Sequence, residues 1–469
     1  MAAPMRPLAG IGSGAARSSL FAAAVAVVSS IVVGLVLVKL GSVQRELKAL
    51  LIVVAGIALA LAALRPRAGL AMFLALMPFE YHFSGTGSDE VLMVAIAAVL
   101  AWRIRWSAIP TWVAVAAGAV VVGSFASAVG ATDQTLALWG AVRWLSAVLV
   151  LFAAFSILRG EPRAGRQMVD IFTASAAIVV LFAFAQKAGV YLLVGSPFIA
   201  GRPSSFFGYY TNYADYAAMA SVLATGELLA ATLERERGRV VVYGVALLFL
   251  LSGIAISISR GGLLALGAGW LILLVLNARR GRVLLQAALI LTIFLASAYL
   301  LTPRSTVVQI EKRFASPLGA LTEDRERFDI QAAGTRALER YPFGLGYGNF
   351  ALYARANVRR AGIHEKFTHA QSTPIQVGLD AGWLGVVGFF VLVGGALLVP
   401  IVRGRADART VRASACAAAL GGFLAQGLFD YLFYEIAFVA FVAVLVWGSV
   451  APYAGRLASA GRVGRLAVG

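Results

Sequence analysis

The chain has one cysteine, Cys416, among its 469 residues. That excludes a disulfide framework and a cysteine-ligated metal, and the apolar run around Cys416 assigns it to a buried structural thiol. Histidine is almost as scarce, at three residues, and only 13% of the chain is charged. Acidic residues number 22 against 40 basic ones, a formal charge of +18. No histidine pair stands at ligand spacing and the outer segments hold no compact cluster of aspartates, so neither a metal nor any other cofactor is expected.

Apolar residues fill the space that charge leaves. They make up 60% of the chain, with a mean hydropathy of +0.85. No soluble domain of this length hides that much apolar surface, so lipid must be the solvent and the fold an all-α polytopic membrane protein. About 14 segments are long enough to cross a hydrocarbon core of about 30 Å as helices. They are 19–39, 49–64, 68–80, 90–102, 109–130, 138–158, 168–189, 213–232, 240–259, 261–278, 283–302, 374–401, 411–428 and 432–452. The third and fourth are short, and without them the count is 12. The first is longer than a signal-peptide core and reads as a retained span.

Arginines gather in every second turn: Arg65/Arg67, Arg103/Arg105, Arg159/Arg163/Arg166, Arg235/Arg237/Arg239, Arg279/Arg280/Arg282 and Arg403/Arg405/Arg409/Arg412. The turns 80–89, 127–137 and 429–435 carry no lysine or arginine. This positive-inside pattern puts both termini in the cytoplasm, and it matches the net charge to anionic membrane lipid rather than to nucleic acid. Counting spans from inside brings the turn 190–212, the join 259–262 and the long polar stretch 303–373 to the same outer face. The expected units are therefore 1–189 and 190–302 within the membrane, a loop domain 303–373, and a last membrane unit 374–469.

The loop domain contains EDRERFDIQAAGTRALERYP, residues 323–342, in which Phe328, Ile330, Ala333 and Leu338 recur at roughly helical spacing. A surface-lying helix closed by Pro342 is expected, serving at least to cover the bundle. FGLGYGNF, residues 343–350, follows as a glycine-rich turn suited to close backbone approach. His82 and His364 read as surface residues.

Three helices start at the outer face. Thr373, Pro374 and Gln376 form a hydroxyl cap, a first-turn proline and a glutamine three residues on. GRPSSFFGYYTNYAD, residues 201–215, opens another, with Thr211 or Asn212 as cap and Asp215 in its first turn. The third begins at Gly261-Gly262, directly after Arg260. Helix N-termini carry free N–H groups and a partial positive charge, and Arg202 and Arg260 stand beside two of them. Guanidinium forks and helix N-termini both bind phosphate oxygens. Arg260 is also explained as a snorkelling or capping residue at a hairpin turn. Arg143, beside Trp139 and Trp144, is a third outward arginine, either a substrate ligand or half of an interhelical ion pair. Asn212 and Ser259 are further substrate-binding candidates.

SISRGGLLAL, RFDIQAAGTRALERYPFGLGYGNF and a histidine-containing approach to GLDAGWLG follow one another in an order that resembles the O-antigen ligase and polymerase superfamily of bacterial membrane glycosyltransferases. The likeness covers roughly 200–390. It implies a GT-C-like, metal-independent, inverting enzyme of the bacterial inner membrane. Such an enzyme takes a glycan from an undecaprenyl-diphosphate carrier at the periplasmic face and passes it to a glycan or lipid A-core acceptor. By position, the two arginines that grip the diphosphate are Arg202 and Arg260. The ligases carry a histidine nine residues and one small polar residue ahead of a glycine; counting back from Gly382 puts Gln371 there. Glutamine orients a hydroxyl but does not take its proton at neutral pH. His369, two residues earlier, reaches the same place if its segment folds back, and Asp329, Asp380 and Asp430 are the other candidate bases. The missing histidine favours a polysaccharide polymerase over an O-antigen ligase. A transporter of a lipid-linked or small substrate is the alternative of another class, although the chain has no internal repeat of the kind transporters use.

Overall fold

The computed structural model describes residues 56–79, 88–278 and 317–454, apart from 160, 162, 192–196, 198, 200, 358–367, 405, 406 and 435, together with isolated positions between 281 and 308. The expected spans at 19–39 and most of 283–302, and also His82 and His364, lie outside the described residues. Within them the chain is helical, and the helices follow the apolar segments. They are α1 (56–64), α2 (Pro66–Leu76), α3 (Ser88–Ala101), α4 (Thr111–Val129), α5 (Gln134–Ile157), α6 (Ala164–Lys187), α7 (Tyr210–Leu233), α8 (Arg237–Ser257), α9 (Arg260–Leu276), α10 (Pro317–Arg340), α11 (Phe350–Asn357), α12 (Thr373–Arg403), α13 (Ala408–Gly427) and α14 (Ile436–Val450). Six of them, α4 to α8 and α12, are each long and apolar enough to cross a bilayer.

The bundle is organised around α7. Its sequence YADYAAMASVLATGELLAATL is rich in Ala, Ser and Gly, and nearly every residue from Tyr213 to Ala231 is buried. Small side chains let neighbouring backbones approach closely, which is how helices associate where lipid supplies no hydrophobic drive. α6, α8, α9 and α13 all pack on it. Gly226 of α7 faces Ala415 of α13, and Gly422 of α13 meets Gly269 of α9 backbone to backbone. α12 lies against α4, where a Cβ on Gly388 would meet the Ala116 carbonyl and one on Gly395 the Trp112 ring. Gly394, by contrast, faces open space.

The span expected at 374–401 is not one continuous helix. Gly382 (φ 65, ψ −174) breaks α12 after two turns. A break in the i→i−4 ladder leaves carbonyls and amides without partners, and inside a bundle they must be satisfied locally. The glycine-rich turn does this: the amides of Leu345 and Gly346 donate to the Leu379 carbonyl (2.6 and 3.0 Å), and Trp383 N–H donates to the Pro342 carbonyl (3.0 Å). Only a residue without Cβ fits at Gly344 (φ 88), which lies against Leu379 and Gly382.

The loop domain is thereby docked on the first half of α12. α10 runs 24 residues to Arg340, and its Ile330, Ala337 and Leu338 form a small core with Phe350, Ala370 and Leu379. Phe328 faces outward. The expected surface-lying helix thus packs on the bundle through a narrow apolar stripe. Asn349 ties the loop to the start of α5, accepting from Asp133 N–H (2.7 Å) and donating to the Asp133 carbonyl (3.1 Å).

Candidate functional site

α7, α9 and α12 start at one end of the bundle, around the C-terminus of α13. A Cβ on Gly261 would collide with the Gln426 side chain, one on Gly262 with Ala214, and one on Gly427 with Thr373. The segment that follows α13, residues 428–434, therefore lies where the three helix starts meet.

The caps differ from those read in the sequence. α7 begins at Tyr210 with Tyr209 at the cap position, so Thr211 and Asn212 lie inside the first turn, where Thr211 Oγ1 donates to Asn212 Oδ1 (3.5 Å). α12 is preceded by Ser372, and the Thr373 hydroxyl instead bridges to the segment after α13. It donates to the Asp430 carbonyl (2.9 Å) and accepts from Leu432 N–H (3.1 Å). α9 is capped by Ser259, whose fully buried hydroxyl accepts from Gly262 N–H (3.1 Å). Ser259 thus shapes the helix start rather than lining a binding surface. Non-glycine residues with positive φ precede these starts, Ser205 (52°) five residues ahead of α7, Ile258 (54°) ahead of α9 and Gln371 (52°) ahead of α12; Arg235 (59°) stands likewise before α8 at the other end. This conformation costs about 1–2 kcal/mol for an L-residue, and strain of this kind collects where a site over-determines the backbone.

Arg260 occupies the first position of α9. Arg202 sits 4.9 Å above the Tyr210 ring at the start of α7, held by an isolated bridge with Ile199. Tyr209 is close enough to feel both Arg202 and Asp430, and burial pushes its phenol up to about 12. Arg143 is buried in α5. It lies 4.7 Å above the Tyr347 ring, bonds the Tyr347 hydroxyl and donates to the Phe433 carbonyl (3.2 Å). It therefore joins the same cluster from the other side of the segment after α13.

The segment before α12 does fold back, and His369 and Gln371 stand side by side. The Gln371 amide donates to His369 Nε2 (3.3 Å), which leaves the ring proton on Nδ1, 3.1 Å from Thr368 Oγ1. Asp430 Oδ1 is 3.9 Å from His369 Nε2, and the ring lies against Tyr431. Burial, with help from Arg327, pushes the imidazole down to about 4, so the ring is neutral at pH 7. Burial pushes the Asp430 carboxyl up. Gln331 fixes the backbone on both sides, donating to the carbonyls of Gln371 (2.7 Å) and Leu428 (3.3 Å), and Arg327 donates to that of Phe429 (3.1 Å).

The other two acids named as bases separate. Asp380, buried in the first half of α12, has its partners: Gln376 Nε2 donates to Oδ1 (2.7 Å) and Tyr431 Oη to Oδ2 (3.1 Å). Asp329 lies on α10, half-exposed. Asp430 is beside His369. Sequence reading missed Tyr347, Gln331 and Tyr431 as members of the cluster. The signal for Tyr431 was present as a polar FDY between two apolar spans; the other two showed none.

Residues 245–390 match the sequence profile of the family described as O-antigen ligase. The matched stretch runs from α8 to the middle of α12 and takes in Ser259, Arg260, the loop domain, His369 and Gln371. Over these residues the likeness to the O-antigen ligase and polymerase superfamily, carried by the motifs, is borne out. No curated protein was found to match the chain.

Proposed function

We propose that this membrane protein, a relative of the O-antigen ligases, transfers a glycan from an undecaprenyl-diphosphate carrier to an acceptor glycan at the periplasmic end of the bundle, in the inner membrane of a bacterium. The observation that carries the reading is the convergence of three helix N-termini, two of them beside Arg202 and Arg260, on the segment 428–433 that also receives His369 and Gln371. Each N-terminus is worth roughly half a positive charge. Together with the guanidinium forks it offers a diphosphate preorganised donors that carry positive charge.

In the reaction so read, the acceptor oxygen attacks the anomeric carbon as the bond from that carbon to the diphosphate oxygen breaks. The diphosphate departs with the electron pair, toward Arg202 and Arg260, and a single displacement inverts the anomeric centre. Charge stabilisation and alignment supply most of the rate, with no metal required by the scheme. The acceptor proton passes to His369 Nε2, whose lone pair is occupied by the Gln371 amide until substrate takes its place. An imidazole of pKa about 4 is a weak base. A bound diphosphate raises its basicity by like-site electrostatics, and Gln371, released from the ring, orients the hydroxyl. Glutamine in the ligase histidine's position favours polymerase activity over ligation to lipid A-core.

Deletion of the gene followed by analysis of lipid-linked glycans tests this reading. Single repeat units accumulating on the carrier are expected for a polymerase. Long chains accumulating there would make the protein a ligase, and an unchanged glycan pool would reject glycosyl transfer.

A further inference from the structure

At the end of the bundle opposite the site, a cavity of about 1480 Å³ opens between the starts of α4, α6 and α13 and the ends of α5, α7 and α14. This exceeds the roughly 300–1,000 Å³ of a small-molecule pocket. Its wall is apolar and aromatic, with Trp106, Trp112, Phe155, Leu233, Trp447 and Pro452, and its rim is charged.

Four arginines line the cavity (Arg159, Arg166, Arg409 and Arg412) against three acids (Glu161, Glu234 and Asp407). Glu161 pairs with Arg67 (2.8 Å), Glu234 with Arg412 (2.6 Å), and Asp407 caps α13 by accepting from Thr410 N–H (2.8 Å). Arg166 and Arg412 are neutralised by Glu236, Glu234 and Glu227. Arg159 and Arg409 are left over. Among the described residues Arg159 donates only to the Ser107 carbonyl (3.3 Å), and Arg409 makes no ion pair. Both are exposed. Trp102 and Trp106, 78% and 70% exposed, mark the depth at which an aromatic belt meets the headgroups. Two exposed guanidinium groups outside the ion pairs, on the rim of an aromatic slot, match an amphiphile with an anionic head.

We infer that this cavity binds an anionic phospholipid of the adjacent leaflet, with its phosphate between Arg159 and Arg409 and its acyl chains along Trp112, Phe155 and Trp447. The site is separate from the glycan-transfer site and does not depend on that function.

The test uses the full chain, purified in mild detergent and examined by native mass spectrometry. Retained phosphatidylglycerol adducts are expected. After delipidation, phosphatidylglycerol in mixed micelles should bind and phosphatidylcholine should not. The double variant R159Q/R409Q should bind phosphatidylglycerol about 30-fold more weakly, the effect of two arginines at a lipid surface. Both residues are exposed and outside the ion-pair network, and an unchanged thermal transition of the delipidated variant would verify that it folds. Equal binding of the two lipids, or equal binding by variant and wild type, would overturn the proposal. So would competition by glycerol phosphate at the same concentration as the lipid, which would make the ligand a soluble anion. Cys416 lines the cavity and is the chain's one cysteine. A cross-link in native membranes from Cys416 to a cysteine placed within 19–39 would put the chain's own first span there and likewise overturn it.

Discussion

The two ends of α7 hold polar clusters built on opposite rules. At its C-terminal end Glu227, fully buried, receives Arg239 (2.9 Å) and Arg412 (2.6 Å), while Asp170, Glu234 and Glu236 complete the neutralisation of Arg166, Arg239 and Arg412. There, guanidinium meets carboxylate, and four helices are tied together. At the N-terminal end Arg202 and Arg143 meet tyrosine rings and a carbonyl. The difference separates guanidinium groups held by carboxylates from guanidinium groups held on aromatic rings, and a cation already paired with carboxylate has little left to offer a phosphate.

Substitution at each end sharpens that contrast. Arg202→Ala and Arg260→Ala are each expected to lower transfer by about 10³-fold or more, the scale on which a single arginine acts in phosphoryl transfer, with the level of protein in the membrane unchanged. A lipid-linked glycan assay reads this, and full activity in both variants would remove the diphosphate role. His369→Ala should cost about 10²-fold in kcat. Its pH signature is distinct: with the imidazole of the free enzyme at about 4, kcat/KM should hold down to that pH, while the acid limb of kcat, which reports the substrate complex, lies higher. The same depression acts on stability. Between the ordinary value of about 6.5 and 4 the unfolded chain binds a proton that the folded chain refuses, so stability falls as pH drops through that window and His369→Gln flattens the fall.

Glu227→Gln should do the reverse of the arginine variants, losing about 3–5 kcal/mol of stability by uncovering buried guanidinium groups. Thermal unfolding in detergent measures it, and the surviving folded fraction should keep its activity. Gly382→Ala places a Cβ within 2.7–2.9 Å of the Phe343 backbone at φ 65, for a loss of about 1–3 kcal/mol and a displaced loop domain, seen as faster proteolysis between α10 and α12. The smallest effect is that of Tyr347→Phe, which removes one hydroxyl from Arg143 for about 1 kcal/mol. It should raise KM and leave kcat alone. A fall in kcat instead would bring Arg143 into the chemistry.

Much of the helical layout was legible because period and length are local properties. From α4 onward, the described helices match apolar runs to within a few residues, except for α10 and α11, which belong to the polar loop domain. The shared end of the three helix starts followed from counting alternate turns, a consequence of the bilayer having two sides. The capping residues were misread because Tyr209 and Ser372 are set by backbone geometry that hydroxyl and amide patterns do not encode. The break at Gly382 escaped because DAGWLG reads as an apolar helix until the loop that caps both broken ends is in place.

Sequence alone determined that this chain lives in lipid, that its cations sort by turn, and that three of its helices start at one end, since hydrophobic length and charge placement are written residue by residue. Tertiary structure alone decided which charges are cancelled. Asp430 reaches His369 and Glu227 gathers Arg239 and Arg412 across up to 185 residues of chain, and electrostatic energy depends on separation in space rather than along the backbone.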